Sequence, residues 1–197
     1  MTLVRIATVV EGQGEVAAMP VLLRRLAEQI NPQLYVESPR PHRVARGTFL
    51  RAGGVENAVA TLVEQVGPSA GILMVVDADD DCPAKLGPAL VERARRTRSD
   101  VKSAAVIANR EFEAWFLAAA PSLAGRRGLA DPLHRPADPE EPRDCKGWLT
   151  AHRVDGRAYK PASDQAALAA AFDLAMAREL SPSFDKLWRD LTVLLLN

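Results

Sequence analysis

The sequence has few of the residues and segments that mark several common protein classes. Its two cysteines, Cys82 and Cys145, form no C-x-x-C pair, and its three histidines are scattered along the chain at His42, His134 and His152. This pattern argues against a structural zinc site or a disulfide framework and favours a reducing compartment. No apolar run is long enough to span a bilayer, and the start of the chain does not resemble a signal peptide. We therefore expect a cytoplasmic protein without a membrane partner.

An excess of charge is also missing, since 25 lysines and arginines balance 25 aspartates and glutamates. There is no global basic field to attract nucleic acid, so such a partner would need a local patch or a metal ion. The chain contains no G-x-x-x-x-G-K-[ST] motif, which excludes a P-loop ATPase. It also lacks G-x-S-x-G with a suitable histidine, which argues against hydrolysis by a serine or cysteine nucleophile.

The most informative stretch of the sequence is an apolar run that ends in four aspartates: Gly71 to Val76, then Asp77, Asp79, Asp80 and Asp81. Such a run is typical of a strand buried on both faces of a parallel sheet, where ligands bind at the carboxyl ends of strands. Strand alternation would place Asp77, Asp79 and Asp81 on one side as candidate metal ligands. Their mutual repulsion favours a hard cation such as Mg²⁺ or Mn²⁺. A polar turn that caps the next helix is the alternative interpretation.

Apolar runs and helical periodicity alternate over the first 120 residues. The predicted strands are residues 3–10, about 34–37, 71–76 and 101–108, and the predicted helices are residues 16–30, 55–66, 83–96 and 109–117. This alternation predicts an α/β fold with a doubly wound, largely parallel sheet of about four strands. We assign residues 1–120 to this core.

Residues 121–197 are predicted to form a loop and then a helical extension that packs on the core in a single globular unit. Proline, glycine, arginine and aspartate dominate from Pro121 to about Gly147, where helical periodicity is lost. A loop this long in a compact domain is uncommon and is usually functional or mobile. Helical patterns return in two segments, one from Leu168 to Leu180 and one that starts at Pro182.

Acidic residues follow three of the predicted strands. Glu11 comes after the first strand, Asp77 and Asp79 after the third, and Glu111 and Glu113 after the fourth. Turns need only one Asp or Asn each, so turn chemistry does not explain this convergence. Phosphoryl transfer with one or two metal ions does explain it, because such sites are built from carboxylates.

The acidic motifs of the sequence resemble those of a known superfamily. Glu11-Gly12 after one strand and Asp77-x-Asp79 after another look like the signature of the Toprim superfamily, which includes topoisomerases, primases and OLD-family nucleases. The fuller pattern is similar to an uncharacterised bacterial Toprim-like family, domain of unknown function 4276 (DUF4276). Its features here are Val10 to Glu15, Val76 to Asp81, Glu111 to Trp115, Asp144-Cys145-Lys146, Tyr159-Lys160 and Ser183 to Leu187.

The resemblance implies particular roles for residues of this chain. Glu11 would be a metal ligand or general acid/base, and Asp77 and Asp79 would form the metal-binding pair. Glu113, or as second choice Glu111, would complete the metal sphere. Lys160 or Lys146 would neutralise charge on the phosphate in the transition state, and no spacing rule chooses between these two lysines.

The resulting hypothesis is Mg²⁺- or Mn²⁺-dependent hydrolysis of a phosphodiester in DNA or RNA. Four arginines are candidate backbone contacts, although a solvated surface is an alternative for each: Arg40, Arg43, Arg46 and Arg95. The resemblance also implies an ABC/SMC-type ATPase as a partner and a role in phage defence. The alternative is a Toprim-like module without catalysis that binds such an ATPase or nucleic acid, because a fold does not determine a function.

A dinucleotide-binding fingerprint is a weaker alternative. Residues 12–17 fit G-x-G-x-x-A after the first strand, and Glu37 follows the next strand. Glu11 and Glu15 flank the glycines, however, and would place negative charge where a pyrophosphate must approach the helix N-terminus. This interpretation is therefore disfavoured.

Overall fold

The structure is a computed structural model that describes residues 2–196. Its strands are β1 (Thr2–Val10), β2 (Leu34–Glu37), β3 (His42–Arg43), β4 (Gly71–Asp77) and β5 (Ser103–Ala108). Its α-helices are α1 (Gln13–Ile30), α2 (Arg46–Phe49), α3 (Gly54–Val66), α4 (Pro83–Thr97), α5 (Ala114–Ala118), α6 (Cys145–Ala151), α7 (Ala166–Ala169), α8 (Leu174–Leu180) and α9 (Pro182–Leu196). None of these helices is long and apolar enough to cross a membrane.

All strand pairs are parallel, in the order β2-β1-β4-β5, with the two-residue β3 beside the end of β1. The prediction of a parallel α/β sheet with C-terminal helices is confirmed. The edge strand beside β1 is split in two because Pro39 and Pro41 lie between β2 and β3. Proline has no N–H to donate to a ladder, so an edge strand tends to break where proline occurs. The short β3 was not predicted.

Helices cover both faces of the sheet, so side chains that point to either face of a strand are buried. On β1, Ile6 and Val10 face one apolar cluster, whereas Ala7 and Val9 face the other. The first cluster is formed with α1, α5 and the C-terminal helices, and the second with α2, α3 and α4. The two clusters make β4 apolar on both faces, which explains why its sequence does not alternate.

The aromatic side chains of the segment that follows β5 are structural. Phe112, Trp115 and Phe116 are fully buried. Trp115 packs against Phe184 and Phe116 against Phe172 of the C-terminal region, with ring centroids 5.4 Å apart in each pair. This cluster fastens α9 along the sheet and leaves these rings unavailable for stacking on nucleic-acid bases.

Two predicted helices differ from the structure. The helix predicted over residues 109–117 begins only at Ala114, because residues 109–113 form a turn at the end of β5. The helix predicted over residues 168–180 is broken into α7 and α8, and a π-turn (Pro161–Gln165) precedes it. Asp173 starts α8 by accepting a hydrogen bond from the Met176 N–H, so a side-chain cap overrides the apolar periodicity.

The predicted loop over 121–147 is held by buried polar contacts. The Glu140 carboxylate, 7% exposed, accepts hydrogen bonds from Ser181 Oγ and from both the N–H and the Oγ of Ser183 at the start of α9. Asp164 accepts hydrogen bonds from Arg127 and Arg153, which ties this loop to the π-turn. The segment is therefore irregular but fixed in place.

Candidate active site

A cleft of about 530 Å³ opens at the carboxyl edge of the sheet. Arg46 borders it on one side, and the π-turn Pro161–Gln165 borders it on the other. Four carboxylates and one ammonium line the space between them: Glu11, Glu15, Asp77, Glu113 and Lys146. Parallel strands bring their carboxyl ends to one edge, which is why residues distant in sequence meet here.

Backbone hydrogen bonds join the three strand ends through two of these carboxylates. Glu11 Oε1 accepts a hydrogen bond from the Asp77 N–H at 2.7 Å, which links the end of β1 to the end of β4. Asp77 Oδ1 in turn accepts one from the Phe112 N–H at 2.8 Å, which links β4 to the turn after β5. Both side chains are therefore held in a fixed orientation in the cleft.

Glu15 is a carboxylate of the cleft that our sequence analysis did not select. It lies in the first turn of α1, is 7% exposed, and accepts a hydrogen bond from the Glu11 N–H at 3.0 Å. It thus fixes the backbone of the turn that presents Glu11. The spacing of four residues between the two glutamates, at a strand-to-helix junction, is the signal that could have identified it.

Glu113 is held between a cation and a phenol. Its carboxylate is almost fully buried, with Oε2 3.1 Å from Lys146 Nζ, and Oε1 accepts a hydrogen bond from the Tyr159 hydroxyl at 3.0 Å. Lys146 also lies 2.8 Å from Glu111 Oε2. Lys146 thus lines the cleft, and Tyr159, which belongs to the family resemblance but had no role assigned to it, supplies the hydroxyl that contacts Glu113.

Asp79 and Asp81, two of the predicted metal ligands, are not among the described residues that line the cleft; both pair with Arg46, which does line it. The Arg46 Nε is 3.0 Å from Asp79 Oδ2, and its Nη2 is 2.5 Å from Asp81 Oδ2. Asp79 has a positive φ of 50°, so strand alternation ends at Asp77 and a turn orients the later acids. Asp80 points elsewhere and pairs with Arg110 and Arg143. The predicted grouping of Asp77, Asp79 and Asp81 on one side is not seen, because only Asp77 lines the cleft, and Asp79 and Asp80 line the same neighbouring hollow.

Burial raises the pKa of all four carboxylates in the cleft. The pKa of Glu11 rises to about 7, because burial and the nearby Glu15 outweigh the hydrogen bond from the Asp77 N–H. Burial, with repulsion from Glu15 and Glu113, raises the pKa of Asp77 well above its ordinary value. Burial likewise raises the pKa values of Glu15 and Glu113, although Lys146 opposes the shift at both. Burial opposes the charge of Lys146, but the surrounding carboxylates outweigh it and raise the lysine pKa.

The donor set has the chemistry of a site for a hard divalent cation. Four carboxylates line the cleft with only two cations, Lys146 and Arg46, and the buried Glu113 Oε2 has the Lys146 ion pair at 3.1 Å but no hydrogen bond of ordinary geometry. Within residues 2–196, no group of three or more His, Cys, Asp and Glu side chains is already arranged to hold a metal ion. Mg²⁺ commonly uses only one or two protein carboxylates and completes its shell with water and phosphate, so the residues fit that ion.

The remaining predicted residues divide into those near the cleft and those away from it. Arg43 donates from Nε to the Glu11 carbonyl at 3.1 Å, and Arg40 is exposed nearby in the chain. The exposed Lys160 uses its backbone N–H to bind Asp164, and its side chain contacts no described partner. Arg95 lies in the last turn of α4, paired with Glu92, at the opposite edge of the sheet from the carboxylates.

The chain also matches the model of a protein family. The model of the family described as "Domain of unknown function (DUF4276)" matches residues 10–192, which is most of the chain. The chain belongs to the DUF4276 family. The matched region of this DUF4276 protein contains all four cleft carboxylates and Lys146. No curated protein matches the chain, and no solved structure does.

Proposed function

We propose that this DUF4276 protein hydrolyses phosphodiester bonds in nucleic acid with the help of Mg²⁺ or Mn²⁺, as Toprim-type nucleases of the OLD kind do. The observation that carries the proposal is the contact between the Glu11 carboxylate and the Asp77 N–H, with Glu113 in the same cleft. It brings acids from three strand ends to one place, as metal-assisted phosphoryl transfer requires.

Glu11 and Asp77 are the residues that would hold the metal ion, with Asp79 and Glu113 as the next candidates. Bound there, the ion would supply an activated water and neutralise charge on the phosphate. Glu11 serves either as a metal ligand or as the general base; burial raises its pKa to about 7 without a metal ion, which suits the second role. Glu15 holds the Glu11 backbone in place for that role.

Lys146 has two effects in this proposal. Its ammonium lies against Glu113 and Glu111 and opposes the rise in the pKa of Glu113 that burial causes. It also borders the cleft, where it adds a positive charge next to a bound phosphate. Lys160 has neither contact, so we assign the catalytic lysine role to Lys146.

A second candidate is a module without catalysis that binds nucleic acid or an ABC/SMC-type ATPase. It is favoured by the ion pairs that Arg46 makes with Asp79 and Asp81, because these neutralise two of the expected metal ligands. A phage-defence role would be compatible with either candidate.

The test compares metal binding and cleavage in matched variants. Wild-type protein, Asp77→Asn and Glu11→Gln are titrated with Mn²⁺ by calorimetry and incubated with labelled single-stranded DNA, duplex DNA and structured RNA. We expect each variant to lose at least about 10²-fold in cleavage rate while remaining folded by circular dichroism. Asp100→Asn is the control, because Asp100 is exposed at the opposite edge of the sheet. Absence of both metal binding and cleavage in the wild type, with retained binding of a partner, would establish the second candidate instead.

A further inference from the structure

A second hollow, of about 310 Å³, lies beside the cleft at the β3 edge of the sheet. Gln13 borders both spaces. The other polar side chains that line the hollow are Arg40, His42, Arg43 and Gln65. We call this space the Arg40–Arg43 hollow.

The charge of this hollow is opposite to that of the cleft. Four carboxylates line the cleft, whereas no Asp or Glu is among the residues that line the hollow. Among residues 2–196, neither Arg40 nor Arg43 forms an ion pair with a carboxylate, in contrast to Arg46. The two arginines therefore keep their full positive charge toward the solvent, where an anion can reach it.

The backbone holds these arginines firmly. Arg40 precedes Pro41, which restricts the Arg40 backbone to an extended conformation. Arg43 pairs directly with Val10 in the sheet, and its Nε donates to the Glu11 carbonyl. Less backbone freedom at both residues, and less side-chain freedom at Arg43, remains to be lost when an anion binds, so the site is partly preorganised.

Arg43 also connects the hollow to the cleft. Its guanidinium rests on the carbonyl of Glu11, the residue whose carboxylate faces the proposed reaction site. A phosphate bound to the free nitrogens of Arg43 is thus held next to the cleft. The long helix α1, whose N-terminus lies between the two spaces, adds a partial positive charge there.

We propose that the Arg40–Arg43 hollow binds the backbone phosphate that neighbours the scissile one. This inference rests on the proposed function and narrows its substrate class. The substrate is a nucleic-acid strand that continues past the cleft on the β3 side, and a mononucleotide is too short to use the site. Arg46 and Arg95, which are committed to carboxylates, make no such contact.

The test measures strand binding in EDTA, so that it does not depend on metal or on cleavage. Fluorescein-labelled single-stranded DNA is titrated by anisotropy at several salt concentrations with wild type, Arg40→Gln/Arg43→Gln and the control Arg95→Gln. We expect the double variant to bind about 10-fold more weakly and its log–log salt slope to fall by roughly 0.7 for each arginine removed. The control should match the wild type. Equal affinity and slope in the double variant and the wild type would overturn the proposal, as would a wild type that binds no strand.

Inorganic phosphate, added at constant ionic strength, distinguishes a strand from a small phosphate compound. We expect it to leave the labelled strand largely bound, because a strand makes several contacts. Saturable phosphate binding that displaces the strand and disappears in the double variant would assign the hollow to a small anion and overturn the proposal. Cleavage with Mn²⁺ is assayed separately. If the double variant binds the strand more weakly but the wild type does not cleave it, strand binding in the hollow is supported and only the nuclease proposal is refuted.

Discussion

The carboxylate of Glu11 accepts a hydrogen bond from the backbone N–H of Asp77, with 2.7 Å between Oε1 and N. The two residues are 66 positions apart in the sequence, and each follows or ends its own strand. Because the contact uses one oxygen of Glu11, the other remains available to the cleft. This single contact aligns the acidic ends of β1 and β4.

The first prediction concerns pH and stability without metal. The pKa of Glu11 is raised from an ordinary value of 4.5 to about 7, so the folded protein holds a proton that the unfolded chain releases. The stability contributed by this proton is complete below pH 4.5 and is lost as the pH rises through 7. We expect the melting temperature in EDTA to fall by roughly 2–6 °C between pH 5 and pH 8.

Glu11→Gln is the control for that prediction, because the amide cannot lose a proton in this range. Its melting temperature should depend less on pH than that of the wild type and should be higher at pH 8. The pH dependence of the melting temperature that remains in Glu11→Gln comes from Asp77, Glu15 and Glu113, because burial also raises their pKa values. A wild-type melting temperature that increases from pH 5 to pH 8 in EDTA would contradict the raised pKa.

The second prediction separates the two lysines. Lys146→Met leaves the buried Glu113 without its cation, so we expect a loss of about 1–3 kcal/mol in the free energy of unfolding. The loss should be smaller at pH 5, where Glu113 can be protonated instead. Lys160→Met, on an exposed side chain without a partner, should change stability by less than about 0.5 kcal/mol. Urea unfolding at the two pH values measures both variants, and equal effects would be inconsistent with the assignment of Lys146 to the cleft.

The third prediction concerns the close approach of the π-turn to α1. A Cβ on Gly14 would lie 2.0 Å from Gln165 Oε1 and 2.6 Å from the Pro161 carbonyl. Gly14→Ala must therefore displace one wall of the cleft, at a cost of about 1–3 kcal/mol. In α2, Gly47→Ala meets nothing within 4 Å, so it should be neutral or slightly stabilising. The melting temperatures of Gly14→Ala and Gly47→Ala test this prediction. A Gly14→Ala protein that melts at the wild-type temperature would mean that the π-turn is not packed against α1.

The fourth prediction concerns the anchor of the long loop. Glu140→Ala leaves Ser181 and Ser183 without their acceptor at the start of α9, so we expect a loss of about 2–4 kcal/mol. The neighbouring Glu141 is exposed, and Glu141→Gln should have almost no effect. Limited proteolysis should cut Glu140→Ala, but not the control, within residues 121–144. Equal resistance in both variants would show that other contacts hold the loop.

Local patterns predicted the strands well because each has its own signal. The apolar runs of β1 and β4 and the helical periods of α1, α3 and α4 need no knowledge of distant residues. Once parallel strands were inferred, the gathering of Glu11, Asp77 and Glu113 followed from topology. Helix boundaries after Ala108 were predicted less well, because a side-chain cap at Asp173 and the turn that presents Glu113 compete with periodicity there.

The sequence alone determined the sheet and the acids at its carboxyl edge, because strand pattern and chain direction are local properties. Only the tertiary structure decided that Lys146 rather than Lys160 faces Glu113 and that Glu15 supports Glu11. It also decided that Arg46 forms ion pairs, whereas Arg40 and Arg43 form none with any carboxylate of residues 2–196. The physical reason is that ion pairs and hydrogen bonds require atoms to lie within a few ångströms of each other. No spacing along this chain specifies how the turn after β3, helix α6 and the π-turn come together around the cleft.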